Sequence, residues 1–325
     1  MKLPPKLYRY RPLDNALLER ELEALRGSYL FAPSFSDMND PMEAFYETGG
    51  SSDWIVDKML APAGRKTSDM YSMLSEKINR LGLVSFASTH NDLPMWAYYA
   101  SNFVGMCLEF DVADLAIGDF QNEKLQQVVY ARHALSPLTF ADMGHLEEAM
   151  IARITRKRSE WSHEREWRFL TGEAGPKCYL DDALRRVYLG PRVKPEHAEQ
   201  ICEVLDQRPV EVLQGEIKGF DLTFRSIKLE RPLEESEGIG SRHFNPAEHL
   251  YAEKELREFL AVPFEMLVEE CRRTALRPNM EAFAGIDIAG SDKRMIYLWT
   301  EYKLRSGRIV YNKRHFDNRL RLLRR

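Results

Sequence analysis

The densest chemistry in the chain lies in Lys157-x-x-x-Trp161-x-x-Glu164-x-Glu166-Trp167-Arg168. In an extended chain, residues two apart share a face, so Glu164 and Glu166 are expected to point the same way. Like charges so close repel unless cations offset them, and such pairs serve acid–base or electrostatic work. The plainer role for the pair is a solvated strand edge with Arg165 and Arg168 as partners. Trp161 and Trp167 weigh against it, because large aromatics beside carboxylates suit a pocket wall. A second cluster, Ser85-Phe-Ala-Ser88-Thr-His90-Asn91-Asp92, closes a strand, where hydroxyls either orient a ligand or satisfy the turn backbone. A third is Tyr8-Arg9-Tyr10-Arg11, in which period two gathers Arg9 and Arg11 on one face; paired guanidiniums suit a diphosphate, or a structural partner such as Asp40 or Glu43. In Met95-Trp96-Ala-Tyr98-Tyr99, Trp96 and Tyr99 share a helical face, as core packing or as a stacking surface for a planar ring.

Several chemistries lack their signatures. There is no GxSxG elbow, no GxxxxGK[ST] and no GxGxxG, which disfavours a serine hydrolase, a P-loop ATPase and Rossmann-type NAD use. Four scattered cysteines form no CxxC pair, eight histidines form no HExxH, and no metal site is expected. No run of about 18 apolar residues is present, so no membrane partner is expected. With no leader-like apolar start and no disulfide framework, the expected setting is cytoplasmic.

These residues need a scaffold of many short strands. Segments 7–11, 29–32, 83–87, 103–111, 127–132, 166–171, 186–189, 210–213 and 221–227 read as strands, and the loop 33–41 is dense in turn formers. Helical patterns fall at 14–26, 51–80, 94–101, 146–159 and 195–205. No regular βαβ period appears, which points to an α+β fold. Residues 230–241 read as a linker; helical patterns at 248–261 and 264–276 and a hairpin around Arg305-Ser-Gly307 follow. The 325 residues are thus expected to divide into a domain at 1–231 and a mainly helical, basic extension at 232–325.

Charge agrees with that division. Residues 294–325 carry ten Lys or Arg against Glu301 and Asp317, a net +8. Removing them from the chain's 46 basic and 50 acidic residues leaves 36 against 48, a body of −12. With Trp299, Tyr302, Tyr311 and Phe316 interleaved, the tail suits nucleic-acid contact, or docking of a basic helix on the acidic body.

Taken in order, Leu7-Tyr-Arg-Tyr-Arg11, Phe35-Ser-x-x-Asn39-Asp-Pro-x-Glu43, Val84-Ser-Phe, Met95-Trp-x-x-Tyr99-Ala with Gly105, Trp161-x-x-Glu164-x-Glu166-x-Arg168 and Tyr188-x-Gly190 resemble the bacterial DUF2971 family, a domain of unknown function. The resemblance spans about residues 5–230. Tyr98 and Phe103 stand where family members carry histidines, so no role of those histidines transfers.

An Arg on the first strand, a Ser-x-Ser on a later one and a Glu-x-Glu after a loop is the order of the arginine–serine–glutamate class of ADP-ribosyltransferases, and the chain is similar to it with Arg9 or Arg11, Ser85 with Ser88, and Glu164 with Glu166. That likeness implies a split β-sheet core with flanking helices and NAD as substrate. It implies Glu166 and Glu164 as catalytic residues, and Arg9, Arg11, Ser85, Ser88, Trp96 and Tyr99 as NAD-binding. The expected function is an NAD-consuming effector of the toxin or antiviral-defence type that transfers ADP-ribose to a macromolecular acceptor. The alternatives are a nucleic-acid-binding effector or a non-catalytic interaction module, with the basic tail recruiting nucleic acid or protein.

Overall fold

A computed structural model of the 325-residue chain describes residues 3–14, 16–37, 81–136, 140–289 and 295–323, with residues 57, 58, 61–64, 66, 68, 72, 76 and 78–80. The expected partners Asp40 and Glu43, the Asn-Asp-Pro-x-Glu segment and most of the helical reading over 51–80 lie outside the described residues.

The fold is α+β, with several sheets and interspersed helices. The largest sheet of the N-terminal part has the order β1 (Lys6–Arg11), β4 (Met106–Asp111), β10 (Leu184–Leu189), β11 (Glu211–Lys218), β12 (Asp221–Lys228). Only β10 and β11 run parallel, joined through the helix Pro195–Val204. β4 lies inside the sheet, between β1 and β10, and five of its six residues are buried, as a strand covered on both faces requires. A three-stranded sheet has the order β3 (Gly82–Phe86), β8 (Trp167–Thr171), β5 (Leu125–Gln127). Two short pairs complete this part: β2 (Tyr29–Ala32) with β9 (Gly175–Cys178), and β6 (Val129–Ala131) parallel to β7 (Arg156–Arg158).

The two larger sheets meet at one point. Tyr8 N donates to Ala87 O at 2.9 Å and Ala87 N to Tyr8 O at 2.7 Å. From there β1 pairs with β4 and β3 with β8, so the sheets diverge. The helix α1 (Leu18–Arg26) buries Leu22 and Leu25, and α2 (Leu93–Tyr99) buries Met95 and Trp96. α2 starts where Asp92 accepts a hydrogen bond from Met95 N, with a proline in its first turn. Beyond α2 the backbone passes through left-handed Ser101, Asn102 and Phe103 and then under the sheet at Gly105. A Cβ on Gly105 would come within 2.2 Å of Arg11 O, so only glycine fits there.

The expectation of a mainly helical C-terminal extension needs correction. Helices Pro246–His249, Glu253–Phe259 and Phe264–Ala275 are present. The rest forms an antiparallel sheet of β13 (Met280–Ala289), β14 (Met295–Lys303), β15 (Ile309–Phe316) and β16 (Leu322–Leu323). The hairpin around Arg305-Ser-Gly307 is present as β14–β15, with Trp299 opposite Lys313. Little in the sequence announces β13, since Met280-Glu-Ala-Phe-Ala keeps only part of a two-residue alternation and holds good helix formers. Pairing with the clear β14 decides its state.

The basic tail docks on the acidic body through strand and turn residues. Arg305 bonds Asp181 at 2.7–3.1 Å and Glu237 at 2.7 Å, and Arg308 pairs with Asp119. Beneath them Arg277 joins Asp182 at 2.7 Å and Asp114 at 2.8 Å. One apolar cluster runs from Leu7, Phe110 and Leu189 to Leu267, Ile296 and Phe316 across position 231. The stretch read as a linker is itself fastened: Glu237 N donates to Gln207 O, and Ser236 is buried. Among the described residues no helix is long and apolar enough to cross a membrane.

Candidate active site

The divergence of β1 and β3 opens a cleft of about 570 Å³. Arg9 and Arg11 of β1, Ser85 of β3, Tyr99 of α2, and Lys157, Trp161, Glu164 and Glu166 all line it. Arg20 of α1, Asp37 and the exposed Tyr98 complete its rim. Three stretches of chain far apart in sequence therefore deliver the expected arginine, serine and glutamates to one cavity.

Period two places Arg9 and Arg11 on the cleft side of β1, while Tyr8 and Tyr10 pack with Trp96, Met95 and Cys107. The two arginines do different work. Arg11 donates to Glu21 at 2.7 Å through Nε and again through a terminal nitrogen, and Arg20 joins the same carboxylate at 2.9 Å. Burial raises the Glu21 pKa, but the two arginines more than offset it and hold the carboxyl below its ordinary value. Arg9 donates to Ser85 O at 2.5 Å and forms no ion pair among the described residues. Burial, then the neighbouring Arg11, lowers its pKa to about 9, which still leaves it cationic at neutral pH.

The carboxylates sit in a chain of alternating charges. Tyr99 Oη donates to Glu164 Oε1 at 2.5 Å. Lys157 Nζ lies 2.5 Å from Glu164 Oε2 and 3.5 Å from Glu166 Oε2. Arg168, fully buried, grips Glu166 with two bonds of 2.9 and 3.0 Å and donates to Ile154 O at 2.6 Å. The Ser85 hydroxyl also bonds Glu166, and Glu166 N donates to the Tyr130 hydroxyl at 2.8 Å. Burial pushes both carboxyls up, but the balance differs. For Glu164, burial outweighs Lys157 and the pKa is raised. For Glu166, Arg168 followed by Lys157 outweighs burial and the pKa is lowered. The two carboxyls are thus driven in opposite directions, Glu164 toward its neutral form and Glu166 toward its anion.

The two glutamates do share a cavity, though a strand alternation is not the cause. Glu164 ends a 3-10 segment, Ser159–Glu164, Arg165 is left-handed (φ 44°), and β8 begins only at Trp167. The kink at Arg165 turns both carboxylates inward while Arg165 itself faces solvent.

Two expected ligand residues stand elsewhere. Trp96 is fully buried and donates its ring N–H to His90 O at 2.7 Å, so it offers no face to a ligand; a tryptophan on the inner side of a short helix is drawn into the core. It packs on Phe103, at 6.5 Å and nearly parallel, so the residue standing in for a family histidine serves packing. Ser88 is exposed and donates to Arg165 O at 2.9 Å, bracing the loop behind Glu166 outside the cleft. Trp161, read as a pocket wall, is one; Trp167 belongs to the core.

The sequence pattern gives Lys157 no role of its own beside the glutamates. The missed signal is its strand, Arg156-Lys157-Arg158, where the helical reading over 146–159 hid an alternation that turns only the middle cation inward. The helix stops at Ile154. Arg20 was missed because a helix of Glu and Arg reads as a solvated face.

In the C-terminal sheet, Trp299 and Tyr311 face solvent, whereas Tyr302 and Phe316 are buried. None of these lines the cleft. Among the described residues no three His, Cys, Asp or Glu side chains gather as metal ligands.

Residues 95–169 match the model of the family described as protein of unknown function (DUF2971), in agreement with the resemblance read from the sequence. The matched stretch runs from α2 to β8 and contains Tyr99, Lys157, Trp161 and both cleft glutamates. No curated protein and no solved structure matches the chain.

Proposed function

We propose that the cleft binds NAD and cleaves its nicotinamide–ribose bond, passing ADP-ribose to a macromolecular acceptor in an effector of the toxin or defence type. The observation that carries this reading is the meeting of Arg9, Ser85, Glu164 and Glu166 on one cavity. A core split between β1 and β3 fits an ADP-ribosyltransferase-like sheet, and about 570 Å³ lies within the ordinary range of ligand pockets.

Each residue then has a task. Arg9, cationic and without an ion pair among the described residues, faces the diphosphate. The face of Trp161, or the Tyr99 ring, packs against a planar base. As the C1′–N bond breaks, its electron pair leaves with nicotinamide, which departs neutral, and positive charge grows on the ribose. Glu166, held ionised by Arg168, stabilises that charge without reorganising. The acceptor's nucleophilic atom bonds to C1′, and its proton passes to Glu164, whose raised pKa suits it to take one. Ser85, bonded to Glu166, fixes the direction in which that carboxylate presents its oxygens.

The test is incubation of the full chain with NAD and chromatography of released nicotinamide, for wild type, Glu166→Gln and Arg9→Ala. Release by wild type and its loss in Glu166→Gln is the expected result. A protein that neither binds nor consumes NAD, alone or with cell extract as acceptor source, overturns the reading.

A second reading has one observation in its favour. Trp299 and Tyr311 lie outward with ring centres 6.2 Å apart, and Lys313 sits over Tyr297 and Trp299, as on a surface that stacks single-stranded bases. Against it, Arg305, Arg308, Arg314 and Arg321 are spent in ion pairs within the protein. Binding that weakens steeply with salt and vanishes in Trp299→Ala supports it; binding unaffected by either removes it.

A further inference from the structure

We propose that Lys157 is the positioning residue of this cleft: its ammonium, wedged between Glu164 and Glu166, aims the two carboxylates and decides which of them carries the exchangeable proton. The placement stands on geometry alone; its consequence for catalysis rests on the reading above.

A lysine this buried is costly unless its charge is matched. Its strand, β7, is edge-paired to β6 and turns only Lys157 inward, past the Trp161 ring at 5.2 Å. The groups facing the pair come from six directions: Tyr99 from α2, Lys157 from β7, Arg168 from β8, Tyr130 from β6, Ser85 from β3 and Arg9 from β1. Their distribution is unequal. Both Glu166 oxygens are held by Arg168, with Lys157 adding a longer contact. Glu164 has Lys157 as its cation and Tyr99 as a neutral donor. Without the ammonium, the one guanidinium still bonded to the two buried carboxylates already grips Glu166, while Arg9 bonds the Ser85 carbonyl instead. The surplus negative charge must then be removed by a proton, and Glu164 is where it lands. A protonated Glu164 accepts no further proton, so the proposed transfer step loses its base.

The test is a pH titration of the full chain carrying carboxyl-13C glutamate, with the two resonances assigned through Glu164→Gln and Glu166→Gln. In Lys157→Met the Glu164 midpoint is expected to rise by about one pH unit or more, a tenfold gain in proton affinity, while Glu166 moves by less than half as much. Lys157→Arg should restore most of the difference. Equal movement of both carboxyls, or a Glu164 shift under about 0.3 unit, overturns the proposal. If Lys157→Met does not fold, the reciprocal measurement decides. With 15N at the lysine side chains, Glu164→Gln must lower the Lys157 midpoint more than Glu166→Gln does, and the opposite order overturns it. The acid limb of nicotinamide release should move with the Glu164 midpoint. If no variant or wild type releases nicotinamide at any pH, the functional reading fails while the titrations still decide the role of Lys157.

Discussion

Two of the networks that bury charge among the described residues invite comparison, and only one of the two opens on a cavity. In the cleft, Lys157, Glu164, Glu166 and Arg168 form an alternating row with one side on a cavity. Under the C-terminal sheet, Asp181 and Asp182 are as buried as the glutamates, and Arg208, Arg277 and Arg305 answer them. There every carboxylate is met from within: Asp181 also accepts from Ser28 Oγ at 2.6 Å, and Arg277 lies over the Tyr302 ring. The chemistry of the two networks is the same; access is not. A closed network converts charge into fixed geometry between parts of the chain, whereas an open one leaves a carboxylate able to trade a proton with something that enters. Buried charge alone therefore does not identify a site.

The sharpest way to break this contrast is to remove one partner from each network. Arg277→Met strands Asp182 in the closed one and is expected to cost about 3–5 kcal/mol in denaturant unfolding, with NAD handling unchanged in the folded fraction. Glu166→Gln in the open network should lower nicotinamide release by roughly 10²–10³-fold, read from initial rates. If the closed-network variant were the one to lose activity selectively, the contrast would be reversed. Arg9→Ala leaves the ion pairs of both networks in place and should weaken NAD binding about tenfold by calorimetry, with a stability loss of about 1–3 kcal/mol from the uncovered Ser85 carbonyl. A titration of stability gives a fourth check through Glu21. Its folded pKa lies below the ordinary value, so its contribution is present above the unfolded carboxyl pKa and disappears as pH falls through the folded one. Melting measured from pH 7 down to pH 3 should show that loss in wild type and a smaller one in Glu21→Gln. The smallest effect belongs to Arg308→Ala, which removes a half-exposed ion pair to Asp119 and should change stability by about 0–1 kcal/mol.

How far the sequence led depends on the kind of signal. Period two in Tyr8-Arg9-Tyr10-Arg11 separates cleft arginines from packed tyrosines, and it survives folding because β1 is a regular strand. Glu164 and Glu166 share a cavity for a reason other than strand alternation: a left-handed Arg165, which no alternation announces, turns the chain. Trp96 and Tyr99 looked equivalent on one short helix. Burial separates them, since Trp96 faces the packed side against Tyr10 and Phe224 while Tyr99 reaches a carboxylate. Lys157 was unreadable because its environment comes from residues brought together only in the fold. The C-terminal charge was legible as an asymmetry, and its docking on the acidic body is what an excess of +8 beside −12 favours. Of its strands, the β14–β15 hairpin was legible from its turn, whereas β13 was not, because it owes its state to pairing with β14 rather than to its own propensity.

The single pair of hydrogen bonds between Tyr8 and Ala87 has a consequence for which substitutions the chain can accept. Where the ladder stops, Ser85 keeps a carbonyl that a continued sheet would have satisfied, and the Arg9 guanidinium covers it. Arg9 thus has two employers, a backbone oxygen and whatever anion enters. A guanidinium, with five donors in a plane, can serve both at once; an ammonium on a flexible stem is less suited to it. Lysine, the everyday conservative exchange, is therefore a poor replacement at position 9 even though charge is preserved, while the same exchange at Arg20 on the rim should pass almost unnoticed.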